Sequence, residues 1–279
     1  MAGYGKEGSE VRVSRDGGNT WTRLAMLPGW PCGELAIDPD RPQHMMIGAR
    51  DGAMRSLDGG KTWTSCVGLE GPGIGFHFDR GRSEENRGCY AATRNGVWRS
   101  DDGGETWRKK SKGLPWLELR GFSGGSNSER TILYCTISTR TLEDRVQGGV
   151  YVSMDRGETW TSAMGEGIDL DMANGQYYQV LTSDVDPLRV YALNSSLRRG
   201  HPEYVKPDHQ TVFRSDDGGK HWSPILQQRQ DRPRSDNIEI DWETYRTGLD
   251  AFGGIKDATI CRTNPDVLIR TQGLVGYVT

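Results

Sequence analysis

The sequence carries almost no surplus of charge: 35 Lys and Arg against 38 Asp and Glu leave −3 at neutral pH. A nucleic-acid partner, which requires a basic footprint, is therefore not indicated. Long apolar runs are also missing, and with a mean hydropathy of −0.69 no stretch can cross a membrane as a helix. The start, MAGYGKEGSE, lacks a basic segment followed by an apolar one, so no signal peptide is expected. The protein is then cytoplasmic, or its leader lies outside this sequence. Cysteine is sparse: Cys32, Cys66, Cys89, Cys135 and Cys261 are odd in number and widely spaced, without a CxxC pair. Neither a disulfide framework nor a zinc site follows, and buried free thiols are expected.

What the sequence has in quantity is glycine, 38 residues, and tryptophan, nine. Five of the tryptophans, Trp21, Trp63, Trp107, Trp160 and Trp222, close five copies of one eight-residue text: SRDGGNTW, SLDGGKTW, SDDGGETW, SMDRGETW and SDDGGKHW. Their aspartates, Asp16, Asp58, Asp102, Asp155 and Asp217, are spaced by 42, 44, 53 and 62 residues. That is the spacing of propeller blades, each a four-stranded antiparallel sheet that cannot bury its faces alone. The third unit shows the internal pattern. GIGFHFD (73–79), GCYAATR (88–94), GVWRS (96–100) and TWRKK (106–110) read as four short strands with turn signals between them. DGG between the third and fourth strands suits a tight hairpin, because glycine takes positive φ freely and aspartate bonds nearby amides. No phosphate-binding loop is read, since every DGG lies in a hairpin and not at a helix start, and no cofactor is indicated.

The pattern S-x-D-x-G-x-T-W resembles the Asp-box, or bacterial neuraminidase repeat, of sialidases, sortilin-type receptors, xyloglucanases and the photosystem II assembly factor. Two positions depart from it, His221 in place of threonine and Arg156 in place of the first glycine. The resemblance implies an all-β propeller of four-stranded antiparallel blades, in which the boxes of enzymes lie away from the catalytic centre. It does not fix the function, because its members include hydrolases, receptors and assembly factors. The expected layout is a single propeller with a partial blade at 1–27, full blades at 33–66, 73–110, 117–163 and 175–226, and a partial blade at 254–279. Strand exchange between the two partial blades could close a five-bladed ring. The favoured alternative is a segment of a larger, six- to eight-bladed ring with further blades outside this chain, because GLVGYVT and SEVRVS both read as third strands.

In an antiparallel blade, connections one-to-two and three-to-four share one end. The boxes lie there, with plain turns at 38–43, 184–189 and 263–266. The other end receives the long insertions 138–149, 164–176, 195–210 and 227–254, and long loops in a compact array are more often functional than ornamental. Trp30, Trp116 and Trp242 fall in connections of that end, with Tyr177 and Tyr178 near another. Such rings beside Arg198, Arg199, Tyr245 and Arg246 suit stacking on sugars and holding their hydroxyls, and they equally suit plugging loops against the rim.

The densest constellation is DNIEIDWETYR (236–246), with Asp236, Glu239, Asp241 and Glu243. Glycoside hydrolysis usually needs two carboxyl groups facing each other across the bond, so an enzyme would pair Asp241 or Glu243 with Asp169, Asp171, Glu143 or Asp144 of another blade. The Arg-Ile-Pro motif implied by a sialidase is absent: Arg41-Pro42 and Arg232-Pro233 lack the isoleucine. His201, Glu203, Asp208 and His209 have metal-ligand chemistry in a spacing that fits no established motif, and no metal is expected. Two functions follow: a module that binds a glycan or a protein through the long-loop face, or a hydrolase built from carboxylates of two blades.

Overall fold

The computed structural model describes residues 2–5, 8–27, 34–83, 87–168, 170, 176–195, 211–228, 238–240, 255–272 and 275–278, all of them strands, turns and connections. They form two compact units, Met1–Ser111 and Lys112–Thr279.

In the first unit, β1 (Ala2–Gly5), β2 (Gly8–Val13) and β3 (Thr22–Leu27) make a three-stranded sheet. Two four-stranded sheets follow. One is β4 (Leu35–Ile37), β5 (Met45–Gly48), β6 (Ala53–Ser56) and β7 (Thr64–Ser65). The other is β8 (Gly73–Phe78), β9 (Cys89–Thr93), β10 (Gly96–Ser100) and β11 (Arg108–Lys109). In the second unit, β12 (Leu119–Ser126), β13 (Thr131–Leu142), β14 (Arg145–Ser153) and β15 (Thr161–Ser162) form a four-stranded sheet. A five-stranded sheet holds β16 (Gln176–Thr182), β17 (Val190–Ser195), β18 (Thr211–Ser215), β19 (Ser223–Gln228) and β20 (Ile238–Ile240). The last sheet is β21 (Ile255–Cys261), β22 (Asn264–Gln272) and β23 (Val275–Val278). Every sheet runs in sequence order, so each is an up-and-down meander.

Burial explains the strand texts. β9 and residues 131–139 of β13 are buried throughout, because a middle strand of a blade is covered on both faces and reads as a continuous apolar run. The fourth strands β7, β11 and β15 are two residues long and exposed, a form that discourages edge pairing. The cores lie between consecutive blades. Met46, Ala53 and Cys66 of one sheet pack with Phe76, Cys89, Ala91, Trp98 and Trp107 of the next. Tyr134, Val150 and Val152 pack likewise with Tyr177, Val180, Val190 and Ala192. A blade alone would leave these faces wet, which is why the unit is repeated.

Two insertions read as loops contain strand. Residues 138–149 extend β13 and β14 into a hairpin in which Arg140 faces Gln147 and Leu142 faces Arg145. Its two-residue turn, Glu143 and Asp144, has φ of 49° and 59°, the left-handed pair of a type I′ connection. A bulge between Ile137 and Arg140 sets the arm off from the blade. Residues 238–240 of the 227–254 insertion pair with β19 as a fifth strand, Gln227 facing Glu239.

Candidate functional site

The box is closed on itself. In the third copy the Ser100 hydroxyl donates to Asp102 Oδ1 at 2.7 Å and accepts from the Gly104 amide at 2.8 Å. The Thr106 amide donates to Oδ1 at 2.9 Å, the Thr106 hydroxyl to Oδ2 at 2.5 Å, and the Trp107 indole to the Gly104 carbonyl at 3.0 Å. The serine-to-aspartate bond recurs at Asp16, Asp58, Asp155 and Asp217. Burial raises the Asp102 pKa, but the bonds from Thr106 and Ser100 outweigh it and hold the group at about 2. A carboxylate so engaged anchors a turn and offers no general base. At the fifth box His221 Nδ1 stands 2.6 Å from Asp217 Oδ2, where the other boxes have the threonine hydroxyl.

Arg156 occupies the first-glycine position with φ of 62°. The position tolerates it because a Cβ on Gly17 or Gly59 would meet nothing within 4 Å. In the third and fifth boxes the second glycine has no such room. A Cβ on Gly104 would stand 2.3 Å from Met46 Cε, and one on Gly219 would stand 2.6 Å from Ala163 Cβ, both on the preceding blade.

A second repeated element escaped the sequence reading. Segments 67–69 (VGL), 112–114 (KGL) and 166–168 (EGI) follow the fourth strands and clasp the next box. The amides of Trp107, Trp160 and Trp222 donate to the carbonyls of Val67, Lys112 and Glu166 at 3.0, 2.9 and 2.7 Å. Val67 and Glu166 donate back to the carbonyls of Glu105 and Lys220 at 2.8 and 2.9 Å. Gly68, Gly113 and Gly167 have φ of 81°, 98° and 85°, and Leu69 and Ile168 drop into the cores between blades. The signal in the sequence is a recurrent x-Gly-Leu or x-Gly-Ile shortly after β7, β11 and β15.

The box end of the blades is otherwise taken up by ties between neighbours. His44 Nε2 lies 3.0 Å from the Gly103 carbonyl, and Arg55 reaches Glu105 at 3.0 Å. Arg189 bridges Asp216 at 2.7 Å and Asp266 at 2.5 Å, and Arg262 meets Asp184 at 3.2 Å.

At the opposite end the structure brings Trp116, from the β11–β12 connection, to the base of the β13–β14 hairpin. The Trp116 indole donates to the Ser138 carbonyl at 3.1 Å, and the Arg140 guanidinium lies 5.4 Å from the ring centroid. Glu118 accepts from Arg140 and, at 3.2 Å, from Arg120. The bond from Arg140 is the main cause that keeps the Glu118 carboxyl below the usual range. Glu118, Arg120 and Arg140 are 40–50% exposed, so this cluster faces solvent beside a projecting arm whose Leu142 is 45% exposed. It can hold a polar ligand against an aromatic and ionic surface.

Tyr177 and Tyr178 do not join it. Tyr177 is 2% exposed and packs near Phe213 in one inter-blade core, while Tyr178 packs against the core on the other side of its blade. Successive residues of a strand point to opposite faces, so the pair cannot form one aromatic platform. Asp169, Asp171, Trp30, Arg198, Arg199, Asp241, Trp242, Glu243, Tyr245 and Arg246 lie outside the described residues.

Four-stranded antiparallel blades, each turned by an Asp-box hairpin, define a β-propeller of the Asp-box kind. The family model for the BNR/Asp-box repeat matches residues 98–109, the third box with its flanking strands. No curated protein sequence matches the chain. Among solved structures, the GH74 xyloglucanase from Xanthomonas campestris is similar with a TM-score of 0.66 and 21% identity, over 97% of this chain and 40% of that one. A GH74 enzyme from Niastella koreensis gives 0.63 and 18%, over 98% and 41%. YCF48 bound to D1 peptide gives 0.55 and 15%, over 97% and 72%. The chain spans about two fifths of the length of the two GH74 enzymes, and at these identities the likeness is one of fold.

Proposed function

We propose that this propeller is a binding module for a glycan or a protein, acting through the face that carries Trp116 and the β13–β14 hairpin. The observation that supports this most directly is the state of Glu118. It is the carboxylate held at the centre of that cluster, and two arginines keep it ionised. A general acid for glycoside cleavage needs a raised pKa, whereas a fixed carboxylate between guanidinium groups suits recognition. The Trp116 face and the exposed arm add the aromatic and apolar surface that ligands use.

The alternative is a glycoside hydrolase that pairs Asp241 or Glu243 with Asp169 or Asp171. It draws on the fold shared with two GH74 enzymes. One experiment separates the two. The full chain and its Trp116→Ala and Arg140→Ala variants are passed over arrays of xyloglucan oligosaccharides and of peptides, and reducing ends are measured after incubation with xyloglucan. Binding that falls roughly tenfold or more in both variants, without release of reducing ends, supports the module. Sustained release of reducing ends, abolished by Asp241→Ala or Glu243→Ala, would establish the hydrolase.

A further inference from the structure

The five boxes share one text but not one environment. Trp107, Trp160 and Trp222 are 6%, 2% and 5% exposed, and each has its amide in a clasp from the segment ahead of its own sheet. Trp21 is 41% exposed. Its amide and the Asn19 carbonyl, which correspond to the paired groups of Trp107 and Glu105, hold no hydrogen bond to any described residue. The second glycine tells the same story. Gly60, Gly104 and Gly219 pack against side chains of the preceding blade, while a Cβ on Gly18 would meet only the ring of Trp21, at 4.0 Å. The first box is nonetheless fully formed, with Ser14, Asp16, Gly18 and Thr20 bonded as in the others.

We propose that the edge of the first box, Gly18 to Trp21, is a docking site for a polypeptide segment of the type residue–Gly–Leu or residue–Gly–Ile supplied by a partner propeller blade. This goes beyond the binding role assigned to Trp116 and the β13–β14 hairpin and does not depend on it. Three copies within the chain show what covers this surface. Val67 and Glu166 exchange backbone hydrogen bonds with the box and Lys112 accepts one from it, and in all three the glycine takes positive φ under the tryptophan carbonyl. Leu69 and Ile168 then pack in the cores that hold Trp107 and Trp222. An extended segment without the glycine cannot follow that path, because L residues resist positive φ and a Cβ at Gly113 or Gly167 would stand 2.2 or 2.1 Å from the carbonyl oxygen. Recognition is therefore by backbone shape and one aliphatic side chain, a form of strand addition.

The test uses the full chain with 15N label and a capped peptide of residues 64–71 carrying Cys66→Ser. The Trp21 amide and indole signals are assigned by their loss in Trp21→Phe. The expected result is saturable movement of the Trp21 amide with a Kd of about 1 mM, the range for two hydrogen bonds and one aliphatic contact. The signals of Trp107, Trp160 and Trp222 stay in place. A peptide with Gly68→Val binds roughly tenfold or more weakly, and so does the wild-type peptide to Trp21→Ala. No movement of Trp21 at saturating peptide would overturn the proposal, as would equal response to the valine peptide. Concentration-dependent sedimentation with Trp21 already shielded would also overturn it, by showing that a second copy covers the edge.

Discussion

The clasp makes a graded prediction about three glycines that share the pattern of a glycine before an aliphatic residue. Gly68, Gly113 and Gly167 all have positive φ, so alanine at any of them carries the left-handed cost of about 1–2 kcal/mol. The surroundings then separate them. At Gly68 the new methyl would lie 3.1 Å from the Trp107 carbonyl oxygen, a contact relieved by a shift of a few tenths of an ångström. At Gly113 and Gly167 it would lie 2.2 and 2.1 Å from the carbonyl oxygens of Trp160 and Trp222. Those oxygens belong to backbone whose amides are bonded to Lys112 and Glu166 at 2.9 and 2.7 Å, so relief there opens the clasp. Opening loses a hydrogen bond of about 0.5–1.5 kcal/mol, overpacking that the shift does not relieve adds about 1–2 kcal/mol, and at Gly167 part of the burial of Ile168 is lost as well. The total is about 1–2 kcal/mol for Gly68→Ala and about 3–5 kcal/mol for Gly113→Ala and Gly167→Ala. In melting temperature these are losses of about 2–8 °C and about 6–20 °C. Circular dichroism melts and urea titrations followed by tryptophan emission give the order. Gly59→Ala, also at positive φ but with nothing within 4 Å of its Cβ, isolates the backbone cost in the first unit. Equal losses at all three clasp glycines, or a greater loss at Gly68 than at Gly167, would refute the steric account.

Three further outcomes follow from the boxes. Arg156→Gly should raise stability by about 0.5–1 kcal/mol, the left-handed cost removed less the added freedom of glycine in the unfolded chain, seen as a small rise in melting temperature. Acid should weaken the fold in a defined window. The threonine and serine bonds depress Asp16 to about 2, and at Asp102 they outweigh a burial effect to the same level, from an ordinary 3.8. A depressed carboxylate contributes fully above its unfolded value and is lost as pH falls through the folded one, so stability should decline between pH 3.8 and about 2, less steeply in Asp102→Asn. His221 works in the opposite sense: its bond to Asp217 raises its pKa above 6.5. That contribution is full below 6.5 and lost as pH rises through the folded value, so the stability gap between wild type and His221→Thr should change across this range. A gap constant from pH 6 to 9 would show that the histidine is not paired in solution.

What the sequence disclosed and what it hid divide along one physical line. The box was legible because Ser100, Asp102, Gly104, Thr106 and Trp107 bond one another within eight consecutive residues, so their identities are set locally. The blade period and the strand texts followed from it. The clasp was not legible, because a glycine and an aliphatic residue acquire meaning only from a tryptophan on the next blade. The β13–β14 hairpin was hidden for a related reason: its left-handed turn residues are Glu143 and Asp144, without the glycine that usually announces a type I′ turn. Of the aromatic rings assigned to a ligand, Tyr177 is spent on the core and Trp116 has its indole on Ser138 and Arg140 over its face. Position in the chain puts Trp116 at the end of the blade where the β13–β14 hairpin lies, since the alternation of antiparallel connections requires only the strand count, but its partners come from an insertion whose course no local pattern fixes. Trp21 closes the same S-x-D-G-G-x-T-W motif as Trp107, yet one is 41% exposed and the other 6%. The difference lies in what the neighbouring blade places against the box, so a repeated text specifies a fold within each copy and leaves each copy's surface to be decided by its partner.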